Sequence, residues 1–177
     1  MLLTKNKEEL RKEAIKKRVD VNFITSINEI SSKILSKILN MDVFKHAKNI
    51  ALYYPIKGEI DLLALLKIQN KNFYFPKCNI LNLEFLKYEN EFINDKFNIP
   101  IPTGEKINPC DLDLIFVPAL IANTKNYRLG YGKGFYDRFF STNNIKAKKY
   151  IVISKLFINN DFTEDNFDIQ CDGIICD

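Results

Sequence analysis

Two kinds of apolar patterning divide the chain. Up to residue 40 the apolar positions recur at helical spacing, and beyond it they gather in short unbroken runs. Phe23, Ile27, Ile30, Ile34 and Ile38, joined by Leu35 and Leu39, trace one face of a long amphipathic helix whose stripe belongs to the core. Upstream, residues 7–19 predict a first helix with a weaker stripe of Leu10, Ala14 and Ile15, and Asn6 and Glu9 stand at capping-box spacing at its start. IALYY at 50–54, closed by Pro55, predicts a strand buried on both faces. Gly58 then permits a turn, and 60–68 predicts a short apolar helix. Strands follow at 72–76 and 83–88, while 94–109, with three prolines and Gly104, predicts a loop. Residues 112–117 predict another buried strand, stopped by Pro118. A long loop to Gly134, a helix at 135–140 and strands at 150–153 and 173–176 complete the pattern.

Strands alternating with helices predict the α/β class. The expectation is a single domain over 1–177, with a mostly parallel twisted sheet flanked by helices in a Rossmann-like three-layer arrangement. No internal repeat, low-complexity tract or long linker divides it. Ligands of such sheets bind beyond the carboxyl ends of the strands. Two segments fall there: YYPIKGEID at 53–61 and PALIANTKNYRLGYGKGFYD at 118–137.

Composition narrows the classes. With 46% hydrophobic and 12% aromatic residues, the chain is not disordered as a whole. Its longest apolar run, 114–122, contains a proline and falls far short of the roughly 20 residues that span a membrane. The charged N-terminus lacks the apolar stretch of a secretory signal, so the reading is cytoplasmic, with no membrane partner and no obligate protein partner. A net charge of +4 is mild for a duplex-DNA binder, and no nucleic-acid partner is expected.

The charge is unevenly placed. The first 50 residues hold 11 basic and 6 acidic side chains, whereas six acids and no Lys or Arg lie from Asp161 onward. The two ends read either as solvated faces or as an anion site and a cation site. Cys78, Cys110, Cys171 and Cys176 show no C-x-x-C spacing, and they read as small core residues rather than a disulfide framework. With His46 the sole histidine, set among lysines in FKHAKN, zinc sites and histidine-based nucleophile chemistry are nearly excluded. Chemistry falls to carboxylates, lysines, arginines, tyrosines and backbone amides.

The second sheet-end segment concentrates those groups. Gly130, Gly132 and Gly134 alternate, with Tyr131 and Lys133 between them, Arg128 ahead and Phe135, Tyr136 and Asp137 behind. Glycines let backbone amides approach an anion, and the helix that follows favours a phosphate at its start. G-x-G-x-G is neither the dinucleotide fingerprint nor the Walker pattern, because Gly134 stands where Ser or Thr would be. Taken alone, the loop is a phosphate cradle or a tight structural turn.

RLGYGKGFYD at 128–137, preceded by DLIFVP at 113–118, resembles the signature of the 5-formyltetrahydrofolate cyclo-ligase family. The resemblance covers nearly the whole chain through ordered landmarks. These are Lys7-x-x-Leu10-Arg11, Gly58-Glu59-Ile60, Phe75-Pro76-Lys77, Phe97-Asn-Ile-Pro100-Ile-Pro102 and Asp168-x-x-x-Asp172. It implies conversion of 5-formyltetrahydrofolate and MgATP to 5,10-methenyltetrahydrofolate, ADP and phosphate. The chemistry is phosphoryl transfer to the formyl oxygen followed by ring closure, which needs positioning and charge neutralisation more than a histidine base.

By the same resemblance, Lys7, Arg11, Arg128, Gly130, Tyr131, Gly132, Lys133, Gly134, Phe135 and Tyr136 match ATP positions. Lys133, Arg128 and Tyr136 would carry the catalysis. Asp137 and Asp172 match Mg2+ positions, as hard carboxylate oxygens suit that ion. Tyr54, Glu59 and Phe97 match the folate site. The implied cofactor is Mg2+, with ATP as co-substrate and a small-molecule folate as substrate. Without the resemblance, Lys7 and Arg11 are a solvated helix face, Glu59 a first-turn acid, Asp172 a tail acid and Phe97 loop packing.

Three positions depart from the family pattern. Ala122 replaces a usual aromatic, Asn123 a usual aspartate, and Phe135 a common tyrosine, which removes one hydroxyl. They motivate the alternative of a non-catalytic folate- or nucleotide-binding protein of the same fold. An RNA-binding basic head and a sugar-phosphate isomerase are weaker readings, the latter resting on fold analogy alone.

Overall fold

The computed structural model describes residues 6–80, 82–96 and 98–177. Helix α1, Lys7–Arg18, opens on the expected capping box. The Asn6 side chain accepts from the Glu9 N–H at 2.9 Å, and the Glu9 carboxylate accepts from the Asn6 N–H at 3.3 Å. Helix α2, Val21–Asn40, is capped by Asp20 and buries Phe23, Ile30, Ile34 and Ile38 of its stripe, whereas Leu39 at its end is exposed. A five-residue helix α3, Asp42–His46, was not visible in the pattern. It ends on His46, which is exposed with Nδ1 2.8 Å from the Asp42 carbonyl oxygen.

In chain order the strands are β1 Asn49–Ala51, β2 Asn72–Cys78, β3 Leu83–Lys87, β4 Phe92–Asn94 and β5 Pro100–Pro102. They continue with β6 Leu114–Pro118, β7 Ile121–Ala122, β8 Arg128–Leu129, β9 Lys148–Val152 and β10 Gly173–Ile175. Helix α4, Phe135–Thr142, lies between β8 and β9. Six strands form the main sheet in the order β10-β9-β6-β1-β2-β3. Every pairing in it is parallel except that of the edge strand β3 with β2. The fold is therefore α/β, with a mostly parallel sheet flanked by helices, as expected. Its centre is dry: Ile50, Leu114, Ile115, Phe116, Val117 and Ile151 are completely buried.

Short elements depart from the pattern. Residues 60–68 form only a 3-10 turn at Leu63–Lys67. The supposed loop at 94–109 contains β5, which pairs with β4, and the supposed loop after Pro118 contains the hairpin β7–β8. Strands of two or three residues are too short to display an alternation, and Pro100 and Pro102 are tolerated because their sheet has only two strands. Asn123 closes the β7–β8 turn, its side-chain oxygen accepting from the Lys125 and Tyr127 N–H groups at 3.2 and 3.0 Å. β1 is shorter than expected, although Leu52 N–H still donates to the Tyr74 carbonyl at 2.8 Å. All four cysteines are free; Cys171 is buried, Cys78 and Cys176 are half-buried and Cys110 is exposed, so only Cys171 is a core residue. Among the described residues no helix is long and apolar enough to cross a membrane.

Candidate active site

A cavity of about 420 Å3 opens beyond the carboxyl ends of β1, β2 and β6. Two of its walls are the two sheet-end segments singled out in the sequence.

The first wall follows β1. Lys57 and Gly58 both take positive φ, at 48° and 73°, and turn the chain sharply so that Glu59 points back. Glycine is required at 58, because a Cβ there would stand 2.6 Å from the backbone oxygen of Arg18. The Glu59 carboxylate accepts from the Ile56 N–H at 3.1 Å, and the Tyr53 hydroxyl donates to the Ile60 carbonyl at 2.9 Å, which locks the turn. Glu59 is 8% exposed, and burial pushes its carboxyl up to about 7 despite the Ile56 N–H, Arg18 and Lys57. Tyr54 lines the cavity beside it and packs edge-on against Phe92, with ring centroids 5.3 Å apart.

The second wall runs from β8 into α4. Gly132 and Gly134 take φ of 89° and 63°, which carries the chain from the hairpin into the helix. Gly130, Tyr131, Gly132, Lys133, Gly134 and Phe135 all line the cavity. Tyr131 is partly buried, which with the nearby Glu59 carboxylate pushes its hydroxyl up to about 12. Beneath the loop, the buried Arg128 guanidinium pairs with Asp137 at 3.0 Å and stacks 5.5 Å from the Tyr136 ring centroid. The same Asp137 oxygen accepts from the Ile169 N–H at 3.1 Å. The Tyr136 hydroxyl is buried without a hydrogen-bond partner, and burial raises its ionisation well above the ordinary tyrosine value. It stays protonated and is an unspent donor at the cavity wall.

Helix α1 closes a third side. The Arg11 Nε donates to the Gly130 carbonyl at 3.0 Å, and Arg11 lines the cavity. Lys7 lies just outside the lining and is held by Asp165 and Asp168 at 2.6 and 2.8 Å. Its burial lowers the ammonium, but the two carboxylates outweigh that and raise it. The basic head and acidic tail of the chain thus meet each other here.

Of the sequence-derived candidates, Arg11, Tyr54, Glu59, Arg128, the loop 130–136 and Asp137 surround one cavity. Phe97 lies outside the described residues. Asp172 is not part of the lining: it sits before β10, at the amino edge of the sheet, bonded to Lys148 Nζ at 2.9 Å and to the Lys149 N–H at 2.8 Å. Asp168, Tyr53 and Cys78 line the cavity and were not assigned a role. Asp168 had a signal, since it stands in the Asp-x-x-x-Asp landmark; Cys78 had none. Among the described residues no three His, Cys, Asp or Glu side chains cluster as a metal cage. Mg2+ beside phosphates needs only one or two carboxylates, the rest coming from phosphate and water, so Asp137 at the cavity wall fits that ion.

Fold and cavity place the chain among the parallel-sheet α/β proteins whose ligand site lies at the carboxyl edge of the sheet. Comparison with known proteins narrows this. The profile of the 5-formyltetrahydrofolate cyclo-ligase family matches residues 3–161. A Mycoplasma genitalium protein named 5-formyltetrahydrofolate cyclo-ligase is 34% identical over 97% of this chain and 98% of its own length. A Haemophilus influenzae protein of the same name is 31% identical over 85% of this chain and 84% of its own. The structure of Aquifex aeolicus 5,10-methenyltetrahydrofolate synthetase superposes with a TM-score of 0.84 at 32% identity, covering 96% of this chain and 89% of that one. The chain belongs to the 5-formyltetrahydrofolate cyclo-ligase family, and it is an enzyme of that family.

Proposed function

We propose that the chain converts 5-formyltetrahydrofolate to 5,10-methenyltetrahydrofolate at the expense of ATP, with Mg2+, releasing ADP and phosphate. The observation that carries this reading is the joining, in one cavity, of a buried carboxylate and a cationic glycine loop. A pterin offers a row of N–H donors, and Glu59 offers an acceptor. A triphosphate offers anionic oxygens, and the loop 130–134 offers backbone amides with Lys133 and Arg11 beside them.

The formyl oxygen attacks the γ-phosphorus, and the bond to the ADP oxygen breaks. The nitrogen at position 10 then closes on the activated carbon, loses its proton, and phosphate leaves with the former formyl oxygen. Lys133 follows the charge on the transferring group. The Tyr136 hydroxyl is the donor available to the formyl oxygen. Arg128, held by Asp137, sets the floor of the loop. Mg2+ would sit on Asp137 and neutralise phosphate oxygens, while Asp172, at the opposite edge of the sheet, stays with Lys148 and Lys149. Lys7 reaches phosphate by exchanging Asp165 and Asp168 for it. Free cysteines suit a reducing, cytoplasmic setting.

The test is methenyltetrahydrofolate absorbance from 5-formyltetrahydrofolate and purified protein, with and without ATP and Mg2+. Product that requires both supports the reading. Product that forms equally without ATP overturns it.

A further inference from the structure

Behind the acid turn lies a charge that this mechanism does not use. Arg18, the last residue of α1, is 3% exposed. One terminal nitrogen donates to the Ala119 carbonyl, while Nε and the other terminal nitrogen have no hydrogen-bond partner. The guanidinium carbon stands 4.9 Å from the centroid of the Phe157 ring. A guanidinium does not shed its proton in a protein, so Arg18 is a buried cation and its charge must be answered nearby. Burial lowers its pKa, and the strongest attraction opposing that comes from Glu59, followed by Tyr131. Its backbone oxygen also abuts Gly58, the residue that turns Glu59 toward the cavity.

We propose that Arg18 is a positioning residue that answers the Glu59 charge from behind the acid turn, so that the carboxylate can meet the folate. The proposal rests on the folate reading of Glu59 given above. Around that carboxylate stand Arg18 from α1, Lys57 and the Ile56 N–H from its own turn, Tyr53 from the segment after β1, Tyr131 from the glycine loop and Tyr136 from α4. The three tyrosines are neutral at physiological pH, with their hydroxyls raised by burial. Lys57 is exposed, so solvent and salt screen it. Arg18 is the buried cation of this neighbourhood, packed against Gly58 beside the acid, and it acts on Glu59 through space rather than by a direct hydrogen bond. Glu59 already sits near 7 with Arg18 in place. Without that cation its carboxyl protonates at neutral pH, and a neutral acid is a weaker acceptor for the pterin donors.

The experiment follows the Glu59 side-chain carboxyl by 13C NMR across pH in the intact enzyme and in Arg18→Met and Arg18→Lys. It also measures KM for 5-formyltetrahydrofolate against pH in each, and in Glu59→Gln with and without Arg18→Met. Arg18→Met is expected to move the Glu59 midpoint up by about one pH unit or more, which is about tenfold in the ionisation constant. KM at pH 7.5 should rise several-fold with kcat less affected. Arg18→Lys should restore most of both, and Arg18→Met should add nothing to KM in the Glu59→Gln background. A folded Arg18→Met with an unmoved midpoint, or an equal KM effect in the Glu59→Gln background, overturns the proposal. Should Arg18→Met not fold, Arg18→Gln carries the same prediction. If Glu59→Gln leaves KM unchanged while Arg18→Met still moves the midpoint, the folate reading of Glu59 fails and the electrostatic role of Arg18 stands.

Discussion

The acid turn and the glycine loop face one cavity but are built by opposite means. The turn is finished before any ligand arrives. Glu59 is tied to its own turn through Ile56, Tyr53 pins the far side, and Gly58 has no room for a Cβ beside Arg18. The glycine loop is open: Gly132 and Lys133 are exposed, Tyr131 is only partly buried, and a Cβ on Gly130 would meet nothing within 4 Å. α1 reaches it through the Arg11 bond to the Gly130 carbonyl and through Arg18 beside Tyr131. The comparison separates two ways of preparing a site. A preorganised acceptor reduces the ordering needed on binding but stores a buried charge in the free protein. A loose cationic loop stores little and is ordered by the phosphates it grips.

Three changes test that contrast, from the largest effect to the smallest. Lys133→Ala removes the mobile cation from the exposed loop. Turnover should fall by about 10²–10³-fold, the usual scale for losing one transition-state charge partner. The urea midpoint should stay where it is. A near-normal rate would remove Lys133 from the chemistry.

Glu59→Gln addresses the stored charge. The Glu59 carboxyl is raised from an ordinary 4.5 to about 7 in the fold. Between those values the folded state binds more protons than the unfolded chain, so this group's contribution to stability is whole below pH 4.5 and is lost as pH rises through 7. The loss amounts to at most about 3–4 kcal/mol, taking 1.36 kcal/mol per unit. Glu59→Gln should therefore resist urea better than the parent at pH 8, and the gain should shrink steadily toward pH 5 and vanish below 4.5. A gain independent of pH would mean that Glu59 is not held at a raised value.

The smallest effect comes from one substitution made in both places. Gly58→Ala meets a positive φ and the Arg18 backbone, and should cost about 1–3 kcal/mol in thermal or urea unfolding. Gly130→Ala meets open space and should change stability by less than about 0.5 kcal/mol. Equal costs would erase the distinction between a closed turn and an open loop.

Legibility in the sequence follows the same division. The stripe of α2 and the run that became β6 are long enough for their periods to declare them, and both formed. The hairpins β4–β5 and β7–β8 are two or three residues per strand, and their pairing rests on contacts that no local pattern carries. The glycine loop was legible because three of the chain's six glycines fall together. Arg18 was not, since KKR at the end of α1 reads as a solvated basic face. Yet Leu10, Ala14 and Arg18 are four residues apart, and all three are buried on one side of the helix. The apolar stripe of α1 looked weak because its last position is filled by an arginine. Asn123 shows the converse. A departure that motivates the non-catalytic alternative is a buried turn-closer, its side-chain oxygen spent on two backbone N–H groups.

Helix α1 reaches the cavity through partners far along the chain: Arg18 to Ala119, Arg11 to Gly130, and Lys7 to Asp165 and Asp168, at separations of 101, 119, 158 and 161 residues. On the ribosome, α1 emerges well before the residues it binds are made. At about 5–20 residues per second the wait is on the order of ten seconds. Through it, α1 has a capping box and α2 as an early neighbour, but Lys7 lacks the carboxylates that hold it. A nascent chain halted before Asp165 would carry both sheet-end segments and still leave Lys7 without its anchor, so the order of synthesis leaves this side of the site open until residues 165–168 are made.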